Sequence, residues 1–211
     1  MGMTTRPWTL LASLVLALGG WAATPDASRA QVAWDSPFLV APETPAGWGF
    51  YVTDPSPGDG VGLMTTWRRT DAPGGTGFRL GLAEDPADDL AVFAGVDVSG
   101  SLVTADEEVP VNVAWVGGAG LGARDGVLVS FPIGVAVGRA FETEEVWFHP
   151  SVSPRVVLDG RFGGEEDSDL DLDLAVDVGV DLGFDPSWVV RFGGTVGQRS
   201  GLAIGLSLVV L

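Results

Sequence analysis

The chain has 211 residues and a formal net charge of −17, with 46% hydrophobic and 18% charged residues. An acidic chain this rich in apolar residues folds, and its length suits one compact unit behind a targeting segment. All eleven basic residues are Arg, Cys is absent and His149 is the single His; nucleic-acid binding, disulfides, thiolate metal sites, Cys nucleophiles and His-based metal clusters are therefore excluded.

Residues 1–30 have the order of a secretory signal: Arg6, an apolar stretch from Trp8 to Leu18, then Gly19-Gly20 and the small residues Ala22 and Ala23. The stretch falls short of the ~20 apolar residues that a spanning helix needs. Cleavage is expected after Ala22 or after Ala30, the second leaving a mature start at Gln31. Export together with the absence of Cys suits a bacterial envelope protein. Residues 31–46, with Pro37, Pro42 and Pro45, read as an extended lead-in.

From Trp48 onward the chain has a period of two. The early segments, Trp48 to Val52, Val61 to Trp67, Phe78 to Leu82, Val92 to Leu102 and Val111 to Leu121, alternate weakly. Val127 to Val137 and Val152 to Phe162 alternate clearly. Between Leu170 and Phe184 every even position is apolar, and the odd ones are Asp171, Asp173, Ala175, Asp177, Gly179, Asp181 and Gly183. The segments Trp188 to Val196 and Leu202 to Val210 continue the pattern. In a helix these apolar groups would surround the axis, whereas in a strand they form one face. Clusters such as Asp54-Pro55-Ser56-Pro57-Gly58 and Asp185-Pro186-Ser187 separate the segments as turns. Ten antiparallel strands are expected, with eight as the alternative because the segments before Asp85 are weakest.

The second face decides the class. On the strands from Val111 and Val127 it is Gly, Ala, Ser and Asn with almost no charge, which cannot serve as the hydrated exterior of a soluble barrel. An inverted barrel needs an apolar face toward lipid and a lumen of small and polar groups, and the two faces offer both. With the last strand ending in the periplasm, Trp48, Trp67, Trp147, Phe184 and Trp188 fall at the periplasmic strand ends, as an interfacial aromatic belt.

On this pattern the chain resembles the small bacterial outer-membrane β-barrel proteins. The C-terminal assembly signal of such proteins is matched by Gly205, Leu208 and Val210, although Ala203 replaces its polar residue, aliphatics replace its aromatics and Leu211 adds one position. The resemblance implies an up-and-down transmembrane barrel over residues 47–211. It further implies an outer-membrane location, with outer-membrane lipid and the barrel-assembly machinery as partners. No cofactor, resident metal or catalytic group is expected. The implied role is structural, or that of a narrow passive channel with a charged, largely filled lumen.

Three groups of residues are candidates for chemistry. Arg155, Arg161 and Arg191 share the inward face with Asp159, Asp171, Asp173, Asp177 and Asp181, and charges in a narrow lumen must be paired or hydrated. Symmetric hairpins set Arg161 opposite Asp171, Arg155 opposite Asp177, Arg191 opposite Asp181 and Phe184 opposite Trp188; they also leave Asp159 opposite Asp173, a like-charge pair that needs Arg155, Arg161 or a shifted pKa to offset it. The acidic stretch Glu165, Glu166, Asp167 and Asp169 offers a weak divalent-ion site, but Leu172 and Val178 stand where an EF-hand loop needs Gly and Glu. Finally, His149-Pro150-Ser151 is similar in spacing to outer-membrane lipid A deacylases, without their Asn after Ser151 or an acid on the same strand before Asp159. A hydrolase or lipid-binding protein using His149 and Ser151 is accordingly the alternative function.

Overall fold

A computed structural model describes residues 40–54, 60–84, 90–123, 126–143, 146–163 and 169–209. The signal segment, Glu165 to Asp167 of the acidic stretch and Val210 of the assembly signal lie outside the described residues. The strands are β1 (Gly47–Asp54), β2 (Gly62–Arg68), β3 (Thr76–Glu84), β4 (Leu90–Val103), β5 (Asn112–Ala123), β6 (Val127–Gly138), β7 (Phe141–Glu142), β8 (Trp147–Phe162), β9 (Asp169–Asp185), β10 (Trp188–Gly197) and β11 (Gly201–Val209).

Each strand pairs antiparallel with its sequence neighbour, except that β6 pairs directly with β8, and β11 returns to β1. The two-residue β7 only extends the rim beside Trp147 and Phe148. The wall is thus a closed up-and-down barrel of ten strands. The eight-strand alternative fails because β1 to β3, weak as sequence patterns, are fully paired. Closure gives every strand two neighbours and removes the sheet edge. β8 starts five residues before Val152, since Pro150 and Pro154 remove two donors without ending the strand.

The two faces separate as the alternation requires. Leu170, Leu172, Leu174, Val178, Val196, Leu202 and Ile204 stand exposed on the outer wall, while Asp177, Asp181, Arg191 and Thr195 are buried inside. The interior is layered. At one end Tyr51, Met64, Ala83, Phe93 and Ala203 form an apolar cluster. The other end is filled by the chain's own residues 40–46, which turn instead of running extended. Thr44 N donates to Ala41 O at 3.2 Å, Glu43 N donates to Ala72 O at 2.9 Å, and Ala72 N donates back to Thr44 O at 2.8 Å. Glu43 takes a left-handed φ of 68° there, its carboxylate accepting from the Asn112 side chain. Val40 packs on Ala72, Val116 and Ala136, and Pro42 is fully buried.

Aromatic rings pair near the strand ends. Trp48 and Trp67 face each other with ring centroids 6.4 Å apart, Phe78 stacks on Trp67 at 5.7 Å, and Phe184 meets Trp188 at 5.8 Å. Trp147 shares the inward parity of His149, with their rings 5.8 Å apart. Its place on the outer wall is taken by Phe148, whose ring lies 5.7 Å from Phe141.

Candidate functional site

The interior charges form a ladder of ion pairs along the barrel. Arg155 holds Asp177 with two bonds, Nε to Oδ2 at 2.8 Å and Nη2 to Oδ1 at 3.2 Å, and the Thr195 hydroxyl donates to the same carboxylate at 2.7 Å. Arg191 holds Asp181 in the same forked way, Nε to Oδ1 at 2.5 Å, and reaches Thr44 Oγ1 at 3.3 Å, tying the inserted N-terminal turn to the wall. Two-point geometry suits a buried site, because the guanidinium fork satisfies both carboxylate oxygens without water.

The β9–β10 register matches the expectation at Arg191, which stands opposite Asp181. A bulge at the turn sets Trp188 opposite Asp185 instead of Phe184. The β8–β9 register is displaced by two residues: Arg161 stands opposite Asp169, Arg155 opposite Ala175 and Asp159 opposite Asp171. A two-residue shift leaves every side chain on its own face, so burial does not oppose it. The expected partners still meet, diagonally, and Arg161 lies 3.7 Å from Asp171 in a partly exposed pair.

Asp159 and Asp173 do converge, on Arg199, whose Nε donates to Asp173 Oδ2 at 3.0 Å and whose Nη2 donates to Asp159. The alternation pattern stops at Val196, which hid Arg199; it sits in the turn before β11 and continues the inward odd parity. A further cluster was also hidden. Asp97 on β4 accepts from Arg79 Nε on β3 at 3.2 Å and from Arg68 Nη2 on β2, all three buried. Parity carried that signal too: Arg79 and Asp97 occupy the inward positions of their strands, on segments too weakly alternating to stand out.

His149 is completely buried, with Nδ1 3.9 Å from Asp181 Oδ2, beyond hydrogen-bond range, and neither ring nitrogen bonded among the described residues. A general base must hold the proton of its nucleophile, and here His149 is not bonded to Ser151. The geometry gives no support to the hydrolase reading. Of the acidic stretch, Asp169 is described; it accepts from the Leu170 amide at 2.9 Å, and among the described residues no group of three or more acidic or His side chains could hold a metal ion.

Gly205 faces Tyr51 across the β1–β11 closure, and a Cβ there would collide with the Tyr51 ring and with Phe50 O. The tyrosine hydroxyl then reaches Ser207 Oγ at 2.8 Å. Leu208 lies on the outer wall beside Trp48 and Trp188.

No family model and no curated protein matches the sequence. Among solved structures the chain is similar to a KdgM porin, with a TM-score of 0.42 at 9% identity, covering 79% of this chain and 100% of that one. It is also similar to a KdgM porin in complex with disordered oligogalacturonate, with a TM-score of 0.40 at 8% identity and the same coverage.

Proposed function

We propose that this protein is an integral outer-membrane β-barrel without catalytic activity, whose role is structural or that of a narrow passive path for small ions. One observation carries the reading. All ten long strands present large apolar side chains outward, among them Phe50, Leu63, Leu80, Val92, Leu121, Ile133, Val152, Leu172, Phe192 and Ile204. A water-soluble barrel exposing such a continuous belt would aggregate, whereas a bilayer is the solvent that it fits. Charges collect on the other side of the wall, and Trp48, Trp67, Phe78, Phe148, Phe184 and Trp188 gather at the end that holds the β9–β10 turn, the level proposed for a membrane interface. Residues 40–46, the apolar cluster around Tyr51 and the ion pairs fill the interior and support a filled barrel over a wide pore. Outer-membrane lipid is the proposed surrounding, and the last strand, with Gly205 and Leu208, is the proposed contact for the assembly machinery.

The test is fractionation of cells expressing the full chain, followed by detergent extraction and electrophoresis with and without boiling. The expected result is recovery in the outer membrane and a migration that changes on heating. Recovery as a periplasmic soluble protein with unchanged migration overturns the proposal.

A further inference from the structure

At the end of the barrel that holds the β9–β10 turn, the mouth keeps a hollow of about 430 Å³ between the N-terminal turn and the wall. Small-molecule sites fall in the range of about 300–1,000 Å³ and recur in the mouths of β-barrels. The N-terminal turn borders the hollow through Glu43 and Pro45, β7 and β8 border it through Glu142 and Trp147, and the β9–β10 turn borders it through Asp185.

Trp147 is an independent sign of an occupant. Phe148, Phe184 and Trp188 belong to the outer wall, whereas Trp147 has inward parity and lines the mouth. Gly183 stands opposite and leaves the ring its place, since a Cβ there would come within 3.1 Å of the indole. An indole beside an open hollow offers an apolar plane whose face attracts positive charge.

The charges set the class of that occupant. The described lining carries three carboxylates, Glu43, Glu142 and Asp185, and no basic side chain. Two of them are held in position: Glu43 accepts from the Asn112 side chain, and Asp185 Oδ1 accepts from the Ser187 amide at 2.8 Å. They do not converge on one point, because among the described residues no group of three acidic or His side chains could hold a metal ion. Carboxylates spread around an indole-walled hollow fit a cation whose charge is carried on an apolar stem better than a bare ion. The ring takes a stem or a flat guanidinium, and the carboxylates accept from the N–H donors.

We propose that this mouth is a binding site for a small organic cation, an amine or guanidinium on an aliphatic stem. The inference goes beyond the membrane reading and does not rest on it.

The test uses the barrel purified in detergent from cells expressing the full chain, with nitrogen-15 in its indole groups and agmatine as the probe at low salt. The indole resonance missing from Trp147→Phe identifies Trp147. Agmatine should shift that resonance saturably, and guanidinium chloride, which has the charge without the stem, should bind more weakly. Glu142 and Asp185 are exposed, so the isosteric changes Glu142→Gln and Asp185→Asn preserve the fold, and each should weaken agmatine roughly two- to fivefold. Glu107→Gln, at an exposed carboxylate in the β4–β5 turn outside the hollow, should leave the affinity unchanged. Absence of a saturable shift at Trp147, equal binding of guanidinium chloride, or equal weakening by Glu107→Gln overturns the site and leaves only the general attraction of an acidic protein for cations. The heat-dependent gel shift of the same samples reports separately on the barrel.

Discussion

Arg155 stands opposite Ala175 in the β8–β9 ladder, yet its guanidinium donates to Asp177, two residues along the neighbouring strand, at 2.8 Å. A diagonal neighbour in a sheet is within reach of a long side chain. The ion pair therefore survives a shift of register that would separate two shorter groups. Pairing in this interior is set by where the long Arg side chains can lean, as well as by which residues face each other.

Burial ranks the arginines. Arg191 is 4% exposed and doubly bonded to Asp181, whereas Arg161 sits at a partly exposed edge, 3.7 Å from Asp171. Arg191→Ala should lower stability by about 3–5 kcal/mol, because it strands a buried carboxylate. Arg161→Ala should cost less than about 1 kcal/mol and resemble Arg69→Ala in an exposed turn. Urea titration of the refolded barrel, followed by its gel shift, measures all three. Equal losses for Arg191 and Arg161 would contradict the ranking.

Arg199 holds Asp159 and Asp173 together. Arg199→Met should therefore be strongly destabilising. Adding Asp159→Asn to it should recover part of the loss, giving a coupling above about 1 kcal/mol in a double-mutant cycle. Strictly additive losses would show that the contact is not what stabilises this end of the barrel.

Ile133 lies in the middle of β6 and is 65% exposed on the outer wall. In a bilayer, Ile133→Arg should cost about 2–4 kcal/mol, while Val61→Arg, just outside β2, should cost roughly 0–1 kcal/mol. The measurement is folding into lipid vesicles read by the heat-dependent gel shift. Unchanged folding of Ile133→Arg would argue that this face does not meet lipid.

Two cavities between residues 40–46 and the interior wall are about 30 and 20 Å³, far below what a disaccharide requires, and a larger hollow of about 430 Å³ beside Glu43 and Pro45 lies at the rim by the β9–β10 turn. Proteoliposomes containing the protein should not swell in an isosmotic disaccharide solution. Swelling at the rate of an open porin would refute the filled interior.

Gly205 allows a separation of packing from assembly. Gly205→Ala pushes a methyl group into the Tyr51 ring and Phe50 O and should destabilise the purified barrel by about 1–3 kcal/mol, as overpacking does. Refolding from urea into detergent, with no assembly machinery present, isolates this effect. Normal stability there, combined with poor assembly in cells, would assign Gly205 to recognition alone.

The outward and inward faces of the wall were legible along the chain from Leu170 to Leu208, because strand parity is local and needs no knowledge of the partner strand. The same parity put Arg155, Arg191, Asp177 and Asp181 on one face. What parity does not encode is which inward residues meet. A two-residue shift between β8 and β9 keeps every face intact, so only the folded hairpin decided that Asp159 lies opposite Asp171. The remaining contacts join residues far apart in the chain: Arg199 to Asp159, Arg191 to Thr44, and Tyr51 to Ser207. They exist because β11 closes on β1 and residues 40–46 turn into the interior. Both are consequences of barrel closure, a nonlocal event that brings together side chains whose spacing in the sequence carries no trace of it.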